Sequence, residues 1–220
     1  MHVELIAARA AATAAERIVV LPGAYQASGD AVRAGFAAAI QERGLPVDLA
    51  LVDMTLAHVT DRTVLAQLRA QVLAPARAAG CQRIWLAGIS LGGMMALFYA
   101  ARYPAEVDGL CLLSPYLGNR MILTEILSYP SLADWYASAA AVGRDVWSEE
   151  RSLWGFIAQH APLGPRWYLG FGQDDRFVAA QRLLARQLPV SAVDEVAGGH
   201  DWPVWRQLWE RFLLRLAAAP

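Results

Sequence analysis

Residues 83–103 read RIWLAGISLGGMMALFYAARY, and this stretch decides the expected fold. Its beginning, RIWLAG, is a short apolar run typical of a buried β-strand, whereas residues 91–103 have the length and residue types of a helix. Between them, residues 88–92 read GISLG, a G-x-S-x-G motif at a turn from strand to helix. The glycines allow a sharp and sterically crowded turn that raises the Ser90 hydroxyl above the sheet. Ser90 then lies at a helix N-terminus, where the helix dipole favours developing negative charge.

Outside this stretch, short apolar runs alternate with longer amphipathic ones. Further strands are predicted at 18–23, 48–53, 107–116, 167–172 and 192–197, and helices at 29–44, 60–80, 177–187 and 203–216. This alternation predicts an α/β fold with a doubly wound, mostly parallel central sheet and helices on both faces. In such sheets ligands bind beyond the carboxyl ends of the strands, where Ser90 falls.

Length and composition restrict the class of protein. A chain of 220 residues suits one α/β domain, and 56% hydrophobic residues exclude a disordered chain. The net charge of −1, without any run of basic residues, argues against a nucleic-acid partner. All 19 cationic side chains are Arg, so Lys-based Schiff-base chemistry and a P-loop Lys are excluded.

Nothing in the sequence indicates a metal, a cofactor or a membrane. Cys81 and Cys111 cannot form a disulfide framework, and neither has the spacing of a zinc site. We find no apolar segment after a basic start, and no apolar run reaches the ~18 residues of a membrane span. We therefore expect a cytoplasmic protein with a single domain over residues 1–220, without cofactor or metal. The oligomeric state is left open.

The motif in its strand–turn–helix context resembles the α/β-hydrolase superfamily, in particular its small serine carboxylesterases and thioesterases, over roughly residues 16–216. That family has the order nucleophile, acid, histidine. The resemblance implies Ser90 as nucleophile and His200 as base, because His200 directly follows the last predicted strand in the run AGGHDW. His2, His58 and His160 are expected to be structural or surface residues.

The acid is expected after the strand at 167–172. Residues 172–178 read GQDDRFV and resemble the family pattern G-x-x-D-x-x-V, which selects Asp175. Asp174 is the alternative, since two adjacent carboxylates on a turn cannot both face one imidazole. Some relatives carry the acid after the preceding strand, but residues 113–116 read LSPY and contain no carboxylate. Asp201 is expected to cap the last helix, whose first turn would contain Pro203.

Two main-chain N–H groups are expected to form an oxyanion hole. One belongs to Leu91, the residue after the proposed nucleophile. The other comes from the loop after the strand at 18–23, where this chain has Pro22-Gly23 and many relatives have His-Gly. The alignment selects Ala24, with Tyr25 as the neighbouring alternative.

Residues 117–162 are predicted to form a short helical cap. Their aromatic residues either pack the cap on the domain or face an apolar acyl group, and they are Tyr129, Trp135, Tyr136, Trp147, Trp154 and Phe156. Tyr25 and Tyr116 are candidates for the substrate pocket. Trp202, Trp205 and Trp209 recur at helical spacing, which predicts the buried face of the last helix.

The resemblance implies a serine hydrolase that cleaves a small carboxylic ester or thioester through an acyl-enzyme. Acyltransferases and perhydrolases use the same three residues, so the motifs do not separate these reactions. A protein of another class, which binds a small molecule on the same fold and turns it over slowly or not at all, is the alternative.

Overall fold

The structure is a computed structural model that describes residues 1–8, 14–54, 63–141, 143, 147–161 and 166–218. The strands in this part of the chain are β1 (Val3–Ile6), β2 (Glu16–Leu21), β3 (Val47–Val52), β4 (Arg83–Ile89), β5 (Gly109–Leu113), β6 (Arg166–Gly172) and β7 (Val193–Val196). These seven described strands form one sheet in the order β1-β3-β2-β4-β5-β6-β7. Neighbouring strands are parallel, except that β1 and β3 are antiparallel.

The described helices are α1 (Ser28–Arg33), α2 (Phe36–Glu42), α3 (Val64–Leu68), α4 (Ala74–Ala78), α5 (Leu91–Arg102), α6 (Arg120–Leu127), α7 (Leu132–Ala141), α8 (Glu149–His160), α9 (Val178–Ala185) and α10 (Trp202–Ala218). A π-helical segment, Arg69–Leu73, joins α3 to α4. The helix predicted at 60–80 is therefore present from Val64 onward, and residues 60–62 lie outside the described part. None of the described helices has both the length and the apolar character needed to cross a membrane.

The sheet is buried on both faces, which confirms the predicted α/β class. Alternate residues of β2 belong to two different hydrophobic clusters, Ile18 and Val20 to one and Val19 and Leu21 to the other. The first cluster includes side chains of α1, α2 and α10, and the second includes side chains of α3 to α9. The parallel strands at the centre of the sheet need this double cover because they are buried on both sides.

The last helix packs as its tryptophan spacing predicts. Trp205 and Trp209 are buried in the cluster with α1 and α2, and Trp202 packs against that cluster at its edge. The Trp209 ring stacks on Phe36 with centroids 4.6 Å apart. Its indole N–H also donates to the Phe36 carbonyl at 3.0 Å, so the buried polar atom has a partner.

The helix predicted at 29–44 is wrong as a single element, because it is divided between α1 and α2 at Gly35. Gly35 adopts φ 83°, a left-handed conformation that favours glycine. The guanidinium of Arg206, on α10, lies against Gly35 and donates to the Ala34 carbonyl at 3.0 Å. The break thus depends on a contact with a residue 172 positions later, which the local pattern does not contain.

The region predicted to form a cap contains α6, α7 and α8 among its described residues. Trp135 and Trp154 are fully buried there, and the Trp154 indole donates to the Leu117 carbonyl at 2.8 Å. Both belong to the hydrophobic cluster that includes Leu110 and Leu169 of the sheet, so they pack this region on the sheet. The function of residues 117–162 as a cap, and the single-domain boundary of 1–220, stay predictions.

Gly92→Ala is expected to destabilise the fold by about 1–3 kcal/mol, the usual cost of overpacking a filled site. A Cβ at position 92 would overlap with the carbonyl oxygens of Leu21 and Pro22, which are backbone atoms and cannot rotate away. The measurement is the free energy of unfolding in urea. Gly29→Ala is the matched control, because a Cβ there meets only the flexible end of Arg33. Equal stability of the two variants would show that the turn after β4 has room for a side chain.

Candidate active site

Ser90 occupies the turn between β4 and α5 in a strained backbone conformation, with φ 52° and ψ −112°. Hydrogen bonds on both sides of the residue hold this conformation. Its N–H donates to the Leu113 carbonyl at 3.0 Å, and its carbonyl accepts from Gly93 at 3.0 Å and Tyr116 at 2.9 Å. The β5 strand and its exit therefore hold the turn, as strained backbone persists only where surrounding contacts fix it. Ser90 is largely buried, with 8% of its surface exposed.

His200 lies in the connection between β7 and α10 and contacts two of the predicted site residues. Its Nε2 is 2.9 Å from the Ser90 Oγ, and its Nδ1 is 2.8 Å from the Asp175 Oδ2. Both distances are within the hydrogen-bonding range that proton transfer requires. The structure thus brings together Ser90, His200 and Asp175, which are up to 110 residues apart in sequence.

Hydrogen bonds between the exits of β6 and β7 bring Asp175 to His200. Gln173 donates from its main chain to Val196 at 2.8 Å, and Asp174 donates to Gly198 at 2.9 Å. The two loops approach so closely that a Cβ at Gly172 would overlap with the carbonyl of Gly198. This packing explains why glycines precede both the candidate acid and the candidate base.

The carboxyl group of Asp175 is buried and hydrogen-bonded. Burial by itself raises its pKa, but the hydrogen bonds with His200 and with the Phe177 N–H, at 2.8 Å, outweigh burial and lower the pKa below its ordinary value. The hydroxyl of Ser114 lies beside this carboxyl without forming a hydrogen bond of normal geometry, and it lowers the pKa further. Asp175 is therefore ionised at neutral pH.

Asp174 has a different environment from its neighbour. Its side chain is exposed, and only its main-chain N–H takes part in the loop contacts. Asp201 caps α10 as predicted, because its side chain accepts from the Val204 N–H at 3.2 Å. Of Asp174, Asp175 and Asp201, Asp175 is the one whose carboxylate contacts the imidazole of His200.

Aromatic rings contact His200 from two elements. The centroid of Phe177 is 5.2 Å from that of the imidazole at an interplanar angle of 86°, and that of Trp205 is 5.1 Å away at 90°. Tyr116 in turn packs on Phe177 at 5.1 Å. The tryptophan spacing predicted only that Trp205 is buried, and no sequence pattern indicated Phe177 as a neighbour of His200. Their edge-to-face contacts restrict the rotation of the imidazole.

Ser114 is a further neighbour of the site that the sequence did not predict. It directly follows β5, is fully buried and adopts φ 46°. Its main-chain N–H donates to Gly170 on β6 at 2.7 Å. The only available signal was its position, since some relatives carry the acid there. In this chain a hydroxyl, not a carboxylate, lies beside Asp175.

In the loop after β2, the main-chain N–H groups of Ala24 and Tyr25 are the two candidate oxyanion donors. The Gly23 N–H is occupied, because the Gln26 side chain accepts from it at 2.7 Å. The N–H groups of Leu91, Ala24 and Tyr25 donate to no acceptor among the described residues. Tyr25 adopts φ 62°, and its side chain is 91% exposed. The Gln26 side chain, whose role no sequence pattern predicted, closes the loop. The choice between Ala24 and Tyr25 as oxyanion donor stays open.

The other histidines lie elsewhere. His160 ends α8 and packs on the Phe156 ring at 4.8 Å, and His2 lies exposed beside β1. His58 lies outside the described residues. Within the described part of the chain, no group of three or more His, Cys, Asp or Glu side chains could hold a metal ion.

A family model with the description "alpha/beta hydrolase fold" matches residues 55–187, which is more than half of the chain. The chain belongs to the α/β-hydrolase family. The predicted resemblance is thus confirmed, and the sheet order and the Ser90 turn agree with it. No curated protein matches the sequence significantly.

Solved structures support the α/β-hydrolase fold at low sequence identity. Est1E from Butyrivibrio proteoclasticus is 16% identical, with a TM-score of 0.67 over 99% of this chain and 94% of that protein. S-formylglutathione hydrolase (FrmB) from Staphylococcus aureus is 13% identical, with a TM-score of 0.60 over 91% and 80%. A monoacylglycerol lipase from Paleococcus ferrophilus is 14% identical, with a TM-score of 0.53 over 98% and 97%.

Proposed function

We propose that this α/β-hydrolase is a serine hydrolase that cleaves a carboxylic ester or thioester through an acyl-enzyme on Ser90. The observation that carries the proposal is the continuous pair of contacts from Ser90 Oγ to His200 Nε2 and from His200 Nδ1 to Asp175. The names of the similar structures, which include a hydrolase and a lipase, support the same reaction class.

Acylation begins when Ser90 Oγ attacks the carbonyl carbon while His200 Nε2 takes its proton. The negative charge develops on the carbonyl oxygen, where the N–H groups of Leu91 and Ala24 would donate hydrogen bonds. The tetrahedral intermediate collapses, the bond to the alcohol or thiol breaks, and His200 gives its proton to the leaving group. Water then repeats the sequence on the acyl-enzyme and releases the carboxylic acid and free Ser90.

Asp175 supports this cycle by its charge and by its hydrogen bond. Its lowered pKa keeps it a carboxylate at neutral pH, so it accepts the Nδ1 proton of His200 in a hydrogen bond and stabilises the imidazolium. Because Asp175 accepts a hydrogen bond from Nδ1–H, the ring proton of neutral His200 stays on Nδ1. Nε2, which faces Ser90, is then unprotonated in the resting state. Phe177 and Trp205 keep the ring in that orientation.

Labelling with a fluorophosphonate probe, analysed by intact mass and peptide mapping, tests the proposal. We expect one adduct, on Ser90, because the probe reacts with an activated serine and remains attached. The adduct should be absent in Ser90→Ala and much slower to form in His200→Ala. A folded wild-type protein that forms no adduct would contradict the proposal and would favour the binding protein on the same fold.

A further inference from the structure

Ser114, the first residue after β5, has a buried hydroxyl without a hydrogen bond of normal geometry. Its side chain is fully buried, and within the described part of the chain its Oγ is one of the buried polar atoms without such a bond. Burying a hydroxyl in this way costs free energy, and folded proteins leave few such groups unpaired. A serine at this position is therefore less favourable for stability than an alanine of similar size, unless its hydroxyl has an acceptor.

Contacts with two neighbouring elements fix the position of Ser114. The residue adopts φ 46°, in the left-handed region that serine rarely occupies. Its N–H donates to the Gly170 carbonyl on β6 at 2.7 Å. The next carbonyl in the chain, that of Pro115, accepts from the side chain of Gln181 on α9 at 3.3 Å. Gln181 is fully buried, so its packing on α9 and the pairing with β6 hold this strained strand exit in place.

Residues 113–116 lie between the turn of Ser90 and the helix that follows Asp175. The main chain of Ser90 is hydrogen-bonded to this segment twice, at 3.0 Å and 2.9 Å. On the other side, the Gln181 contact joins the segment to α9, which begins three residues after Asp175. The backbone that places the Ser114 hydroxyl is therefore held by the same contacts as the proposed nucleophile and the proposed acid.

The carboxyl group of Asp175 is the acceptor beside the Ser114 hydroxyl. Burial raises the pKa of Asp175, and the neighbouring Ser114 hydroxyl is one of the groups that lower it. The Phe177 N–H donates to Oδ1, and His200 Nδ1 lies against Oδ2, each at 2.8 Å. A carboxylate has about four lone-pair sites, so it can accept a third hydrogen bond. The hydroxyl hydrogen of Ser114 is free to rotate toward it, and poor alignment is common at catalytic groups without substrate.

We propose that Ser114 is a positioning residue that donates a third hydrogen bond to the Asp175 carboxylate and so fixes its orientation toward His200. The proposal rests on the proposed function, because it takes Asp175 to be the acid that orients the imidazole. Hydrogen bonds from a hydroxyl to a carboxylate are charge-assisted, and they are short and strong. Ser114 is fully buried and acts through Asp175, without contact to the substrate.

Two variants that remove the Ser114 hydroxyl test its role in turnover. We expect Ser114→Ala and Ser114→Gly to lower kcat for p-nitrophenyl octanoate about tenfold with little change in KM, because a loosely held Asp175 orients the imidazole less well. Ser28→Ala is the matched control and should keep its kcat, since Ser28 is a buried serine at the start of α1. Glycine adopts the backbone conformation of Ser114 more easily than alanine. Wild-type activity in Ser114→Gly beside a loss in Ser114→Ala would therefore assign the effect to the backbone and overturn the proposal.

Proton NMR separates this proposal from the proposed function, because it needs no turnover. The hydrogen between His200 Nδ1 and Asp175 should give a low-field resonance in protein labelled with ¹⁵N-histidine. In Ser114→Ala this resonance should move further downfield, since a carboxylate that has lost one donor is a stronger acceptor toward His200, and in Ser28→Ala it should stay in place. An unchanged resonance in Ser114→Ala overturns the role of Ser114 even if the wild type hydrolyses esters. A shifted resonance beside a wild type that hydrolyses no ester supports the contact with Asp175 and contradicts the hydrolase proposal.

Discussion

Replacing Ser90 with Ala is expected to lower ester turnover by roughly 10⁴–10⁶-fold, and His200→Ala by a comparable factor. Ser90 supplies the attacking oxygen, and His200, at 2.9 Å, is the group placed to remove its proton. The Ser90 hydroxyl needs His200 to remove its proton, and His200 has no proton to remove without Ser90. The double variant should therefore be about as active as either single variant. Residual activity would come from the main-chain donors and from substrate binding.

The measurement is kcat/KM for p-nitrophenyl octanoate with purified protein. His160→Ala is the control, because His160 is an exposed histidine at the end of α8 and should keep its activity. Circular dichroism and the urea midpoint should show that all variants are folded, since Ser90 and His200 stabilise no core cluster. Activity of Ser90→Ala or His200→Ala within about tenfold of wild type would remove these residues from the mechanism.

The fold was predictable where it depends on local signals. The run from Arg83 to Tyr103 contains its own strand, turn and helix, so it could be interpreted without distant contacts. The edge strand β1 was not predicted, because its four residues VELI form a strand through pairing with β3, opposite Val52. The break at Gly35 was missed for the same reason, since Arg206 stabilises it from α10.

The candidate site also has a part that could be predicted from the sequence and a part that could not. Ser90, Asp175 and His200 follow strands in an order that the family resemblance supplies, and the structure brings them within hydrogen-bonding distance. Their immediate supports were not predictable. Trp205 belongs to a buried hydrophobic cluster and also contacts His200, and the helical spacing of the tryptophans predicts only its burial. For Ser114 the sequence offers only its position after β5, and its proximity to Asp175 arises only when β5 and β6 pair.

Asp175→Asn is expected to lower kcat by about 10⁴-fold, whereas Asp174→Asn should leave it nearly unchanged. The Phe177 N–H donates to Asp175 Oδ1, so the carbonyl oxygen of an Asn at this position would occupy that side. The amide NH₂ would then face His200 Nδ1 and donate to it. This forces the imidazole proton onto Nε2, which can no longer accept the proton of Ser90. The loss of kcat then comes from the wrong tautomer of His200, because Asn and Asp have nearly the same shape.

The two Asn variants form a matched pair, because they make the same chemical change at adjacent positions and differ in burial. Steady-state kinetics with p-nitrophenyl octanoate should reveal the difference in kcat, and the fluorophosphonate labelling rate of Ser90 should fall in parallel in Asp175→Asn alone. A similar loss in both variants would indicate that the loop, not one carboxylate, matters. A larger loss in Asp174→Asn would assign the role of the orienting acid to Asp174. That result would require the loop to rearrange in solution, because the exposed Asp174 side chain has no contact with His200 in this structure.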